Sequence, residues 1–133
     1  MIVVDASAVL AVLLNPKRAT EIAQYLFAQG ESIHVPHLID LEVLQTLRRY
    51  ARSAEVGMLR AEQALQIFAD MRLNRYSHAV LAPRIWELRH NWTAYDAAYI
   101  ALAEALDAPL NPRSRAGFKP GTPGPRARVL VQH

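Results

Sequence analysis

The apolar positions of this chain change their period several times, and each change marks an element. Ile2-Val-Val-Asp5 is a short β-branched run ending on an acid. It predicts a parallel-type strand buried on both faces. Ser7 is placed to cap a helix running to about Leu14. Asn15-Pro16 predicts its end, because the residue before proline is pushed out of helical space. Ile22, Ala23, Leu26 and Phe27 share one face of a second helix predicted from about Lys17 to Ala28, with Gly30 as its stop signal. Ser32-Ile-His-Val35 reads as a second strand ended by Pro36. A long helix is expected from His37 to Arg52, its basic last turn suiting the helix dipole. Ala61, Ala64, Leu65 and Phe68 form the apolar stripe of a helix over roughly Met58 to Met71. Leu73 to Ser77 reads as a short strand. Leu81 to His90 reads as a short helix with Pro83 in its first turn, where proline is tolerated. The last helix is alanine-rich, opens at Thr93 and runs to Leu106.

Strand and helix signals alternate from the start. That pattern predicts one α/β domain over 1–133, an α/β/α sandwich around a central parallel sheet. After Leu106 the grammar changes. Residues 108–128 hold five of the eight prolines and three of the five glycines. We expect 111–128 to be an irregular Pro/Gly/Arg-rich segment, with Val129-Leu-Val131 returning as a last strand.

Composition narrows the chemistry. With 133 residues and 52% hydrophobic positions, the chain can bury a core without staples. It has no cysteine, which excludes disulfides, zinc fingers and thiol catalysis. A reducing, cytoplasmic setting fits that usage. Ile2 to Leu14 is apolar but lacks a basic flank and is interrupted by Asp5, so it reads as strand and helix, not as a targeting segment. No apolar run is long enough to cross a bilayer. The net charge of +3 is uneven: residues 108–133 carry five bases and no acid, leaving ten bases against all 12 acids before them. The tail alone is suited to attract a polyanion.

Three acids stand out from the solvated charges. Asp5 ends the first strand, where ligands bind in open parallel sheets. Glu42 shares a helix face with Leu38 and Ile39, and a buried carboxylate there needs a partner such as Arg49, a proton, a metal ion or access to water at the helix edge. Asp96 stands three residues after Thr93, a spacing that also fits a simple capping box. Asp40 falls in a first helical turn and reads as structural. If Asp5, Glu42 and Asp96 converge, each pair about 4 Å apart repels by on the order of 4 kcal/mol at an effective dielectric near 20. A divalent cation would offset that repulsion. Oxygen ligands without His or Cys favour Mg²⁺ or Mn²⁺ over Zn²⁺. Such a site can polarise a phosphate and position water. The five histidines show no zinc spacing, and no phosphate-cradling glycine loop is present.

Val-Val-Asp5-Ala-Ser7-Ala, Leu-Ile-Asp-Leu-Glu42-Val-Leu and Asn91-x-Thr93-x-Tyr95-Asp96-Ala-Ala-Tyr99-x-Ala-Leu-Ala-Glu, in this order, resemble the PIN-domain ribonucleases, specifically VapC-type toxins of toxin–antitoxin pairs. The segment Pro83-Arg-Ile-Trp86-Glu-Leu-Arg89 is also similar, and the likeness covers about 1–110. The resemblance implies a parallel sheet flanked by helices and an acidic pocket for Mg²⁺ or Mn²⁺. It implies endoribonuclease action on structured RNA such as tRNA or rRNA, a cognate VapB-type antitoxin that blocks the pocket, and a homodimer. Asp5, Glu42 and Asp96 match the metal-binding acids, Ser7 the small hydroxyl residue near the first, and Thr93 a polar residue beside the site. The chain departs from the pattern after Leu110: Ser114 stands at about the place of a fourth acid, and Pro112 would remove a strand donor.

Two further readings follow from that departure and from Asp5. Loss of the fourth acid would leave a catalytically weakened module that binds antitoxin or RNA. Phosphoryl transfer onto Asp5, as in phosphatases similar to the haloacid dehalogenases, is disfavoured because Ser7 stands where a second acid is needed.

Overall fold

Val3 and Val4 have no exposed surface, which puts the opening run at the centre of the molecule. The structure is a computed structural model, and it describes residues 1–15, 30–54 and 57–110. Strand β1 (Ile2–Val3) leads into helix α1 (Ala6–Leu14), and β2 (Ile33–Pro36) into α2 (Leu38–Ala51). Helix α3 (Gly57–Asp70) precedes β3 (Leu73–Tyr76), and α4 (His78–Glu87) and α5 (Ala94–Leu106) follow. The three strands are parallel, in the order β1-β2-β3. Ile2 pairs with Ile33, and Ile33 with Leu73. On the other side of β1, Val3 bridges to Leu110 and donates its N–H to the Pro109 carbonyl at 2.9 Å.

This is the expected sandwich. The period of two along each strand divides its residues between two layers. Ile2, Val4, Ile33 and Val35 pack with α1, α2 and α3 around Val9, Ile39, Val43, Leu47 and Phe68. Val3 points the other way, into a cluster with Leu81 of α4 and Ala98, Tyr99, Ala101 and Leu102 of α5. The alanines explain how α5 comes close to the sheet: small side chains hold the backbone near β1.

Several local expectations shift. The α1 cap is Asp5, whose carboxylate accepts from the Ala8 N–H, so the helix begins one residue before Ser7. Both residues are good caps. The turn out of β1 puts Asp5 in extended backbone, at the position from which a side chain reaches the third amide. Pro36 ends β2 from inside the ladder, paired in register with Tyr76. Helix α4 begins at His78, with Ser77 accepting from the Ala79 N–H at 3.2 Å, so Pro83 lies in its interior. Pro83 and Ala79 are exposed, so water can take the Ala79 carbonyl that proline leaves without a donor. α4 ends at Glu87, short of His90. Thr93 caps α5 as expected, accepting from the Asp96 N–H at 3.1 Å. The helix predicted over 17–28 and the strand at Val129–Val131 lie outside the described residues. No helix among the described residues is long and apolar enough to cross a membrane.

Candidate active site

The carboxyl ends of the three strands deliver Asp5, the start of α2 and the start of α4 to one edge of the sheet. Asp5 is 6% exposed. Its Oδ1 accepts from the Ala8 N–H at 3.1 Å and from the Ser7 hydroxyl at 2.6 Å. The predicted supporting residue therefore touches the first acid directly.

Glu42 projects from the second turn of α2 and is half-buried. Tyr99 of α5 donates its phenolic O–H to Glu42 Oε1 at 2.6 Å. Tyr99 is itself 2% exposed. Burial first, then the hydrogen bond to Glu42 and its charge, then the charge of Asp5, push the phenol far above its ordinary range, while a backbone hydrogen bond from Ala6 acts the opposite way. Tyr99 therefore stays protonated, and its hydroxyl feels both acids. Asp96 is half-buried in the first turn of α5, three residues before Tyr99. Residues three apart lie on one helix face.

Asp40, read as structural, pairs with Arg75, whose Nε reaches Oδ2 and whose terminal nitrogen reaches Oδ1, both at 2.8 Å. Ser114 lies outside the described residues. The acids supply oxygen donors alone, joined by the Ser7 hydroxyl, which is the donor chemistry of a hard divalent cation. Among the described residues no three His, Asp or Glu side chains form a group that could hold one ion. The donors fit such an ion in kind, without forming a closed cage.

Two site residues escaped the sequence reading. Tyr99 appears in the alanine-rich motif but was given no role. Its spacing from Asp96 was the available signal. His78 is the other: its Nε2 accepts from the Leu38 N–H at 2.9 Å, capping α2 where His37 makes no side-chain cap. Nothing local in the sequence pairs positions 40 residues apart.

Comparison with known proteins adds to this geometry. The sequence profile of the family described as PIN domain matches residues 2–110. The chain is 46% identical over 110 residues to VapC ribonuclease Mb0985 of Mycobacterium bovis, covering 83% of each. It is 41% identical over 126 residues to ribonuclease VapC1 of Mycobacterium tuberculosis, covering 91% of this chain and 92% of that one. Among solved structures, VapBC2 from Rickettsia felis, bound to a DNA fragment from its promoter, superposes with a TM-score of 0.61 at 17% identity, over 83% of this chain and 86% of that one. VapC20 of Mycobacterium tuberculosis, described as a Sarcin-Ricin loop cleaving toxin, superposes with a TM-score of 0.58 at 20% identity, over 89% and 96%.

Proposed function

The chain belongs to the PIN-domain family of VapC-type ribonucleases, and from that premise we propose that it cleaves structured RNA, such as tRNA or rRNA, with Asp5, Glu42 and Asp96 as its working acids. The observation that carries this reading is buried Asp5 at the carboxyl end of β1, in a parallel sheet against which α5 packs and hydrogen-bonds Glu42 through Tyr99.

In this reading Asp5, Glu42 and Asp96 would hold Mg²⁺ or Mn²⁺, in part through water. The ion, when bound, supplies positive charge against the phosphate oxygens. Asp5 is fixed in direction by the Ser7 hydroxyl and the Ala8 amide. Asp96, half-buried, is the carboxylate that orients the attacking water and accepts its proton. Exposed Trp86, with the Arg89 guanidinium 4.6 Å over its ring, and exposed Tyr95 beside Asp96 offer aromatic faces of the kind on which unpaired bases stack. A cognate VapB-type antitoxin would cover the acids, and the protein would work as a homodimer in the cytoplasm.

Asp5→Asn tests the assignment. Asparagine caps a helix as well as aspartate does, so the melting point should stay within a few degrees. Mg²⁺-dependent cleavage of total tRNA should fall by about 100-fold or more. Cleavage at the parent rate would end the proposal. A second reading, a weakened module that binds antitoxin or RNA, is favoured by one observation: the family profile stops at Leu110, before Ser114. Under it Ser114→Asp should raise cleavage by about tenfold or more. A parent protein that is already fast and gains nothing rules it out.

A further inference from the structure

We infer that Tyr99 is a positioning residue for the acidic site: its hydroxyl fixes the direction of the Glu42 carboxylate. The inference rests on the ribonuclease reading above.

The geometry starts with the ring. Tyr99 packs among Val3, Leu38, Ala98 and Leu102, and is almost wholly enclosed. A ring so held has one place for its oxygen. That oxygen carries a single proton, and at 2.6 Å from Glu42 Oε1 the proton is committed to the carboxylate. One hydroxyl thus joins α5 to α2.

Such a donor suits a glutamate. Asp5 is short and already fixed by two donors from its own turn. Glutamate has one more rotatable bond and springs from a helix whose neighbouring position, Leu41, is 70% exposed. A donor carried on an enclosed ring narrows the directions that carboxylate can take, so that a cation held by it would keep a defined ligand. Groups that orient ligands in this way typically change metal affinity or activity by about 10- to 100-fold.

The test uses the full chain in four forms: parent, Tyr99→Phe, Glu42→Gln and the double variant. Two quantities are read: Mn²⁺ affinity without RNA, from the paramagnetic resonance of free Mn²⁺, and kcat and KM for cleavage of a labelled RNA hairpin. Tyr99→Phe should weaken Mn²⁺ binding and lower kcat by about tenfold each, with KM within about twofold. In the Glu42→Gln background the same change should have no further effect, because the group it orients has lost its charge. A packing role alone would give losses that multiply in the double variant. Glu42→Asp draws the carboxylate back by one methylene and leaves Tyr99 intact, so it should reproduce the Mn²⁺ loss even if removal of the hydroxyl harms folding. Parent-like Mn²⁺ binding in Tyr99→Phe, or multiplying losses, overturns the inference while Asp5→Asn and Glu42→Gln remain measurably impaired. If those two variants bind Mn²⁺ and cleave RNA like the parent, the ribonuclease reading falls, and this inference with it.

Discussion

On one face of the sheet, Ile2, Val4, Ile33 and Val35 meet α1, α2 and α3 through a cluster of buried hydrophobic residues. On the other face, Val3 and the alanines of α5 share the space with polar groups. His34 points there, opposite in register to Val3, and is 7% exposed. Tyr99 reaches Glu42 from that layer, and Glu104 of α5, 8% exposed, receives Arg84 of α4. Apolar packing is non-directional, so the first face asks for volume and little else. Buried polar groups need partners at fixed distances and angles, so the second face admits fewer arrangements. The candidate site borders the second face. Its carboxylates need donors that do not move, and a layer already built on directed contacts supplies them.

The largest effect should come from emptying the first face. Phe68→Ala removes a 5%-exposed ring from the first cluster and should destabilise the domain by about 3–5 kcal/mol, read from urea denaturation. Cleavage per folded molecule should stay within about twofold. If it falls in step with stability, the two faces are not separable in function.

A smaller loss should follow from unpairing the second face. The Arg84 Nε reaches Glu104 Oε2 at 2.6 Å, and its NH2 group reaches Oε1 at 3.0 Å. The hydrogen bond to Glu104 leads the causes that raise the Arg84 pKa, with Glu87 second. Arg84→Met leaves the enclosed Glu104 carboxylate without its cation and should cost about 2 kcal/mol. Adding Glu104→Gln should return about half or more of that loss, since the penalty lies in the stranded charge and not in the missing pair. No recovery in the double variant would mean that Arg84 matters through its stem.

How far each face was legible in the sequence follows from the same contrast. The first face is written in period: Ala61, Ala64 and Phe68 stand on one stripe, and the alternation of Ile2, Val3 and Val4 assigns them to layers. The α5 start was equally plain, because Thr93 and Asp96 are three residues apart and cap locally. Asp5 and Ser7 are both cap formers, and only the end of β1 decides between them. Pro83 misled because its tolerance inside α4 depends on solvent at that face. The bond from Tyr99 to Glu42 spans 57 positions, and neither residue carries a local mark of the other. The contact that Tyr99 makes with Glu42 belongs to the packing of α5 against the sheet.

The smallest effect is a pH dependence confined to the second face. His34 Nε2 lies 2.7 Å from the Ser32 hydroxyl and Nδ1 2.6 Å from the Tyr76 hydroxyl. Burial first, then the positive amino group of Met1, lowers its pKa below the ordinary 6.5. The folded state therefore disfavours the imidazolium, and the unfolded chain binds the extra proton first. Stability from this group is complete above about pH 6.5 and is lost as the pH falls from there through the folded value. The urea midpoint of the parent should drop more between pH 7 and pH 5 than that of His34→Gln, by less than either substitution above. Parallel curves for the two proteins would exclude His34 as the source. Salt separates the two causes. At 1 M ionic strength the charge of Met1 is screened within about 3 Å, while burial is unchanged. The difference between parent and variant should shrink in salt without vanishing, and what remains measures the burial of a titratable ring among the polar contacts of the second face.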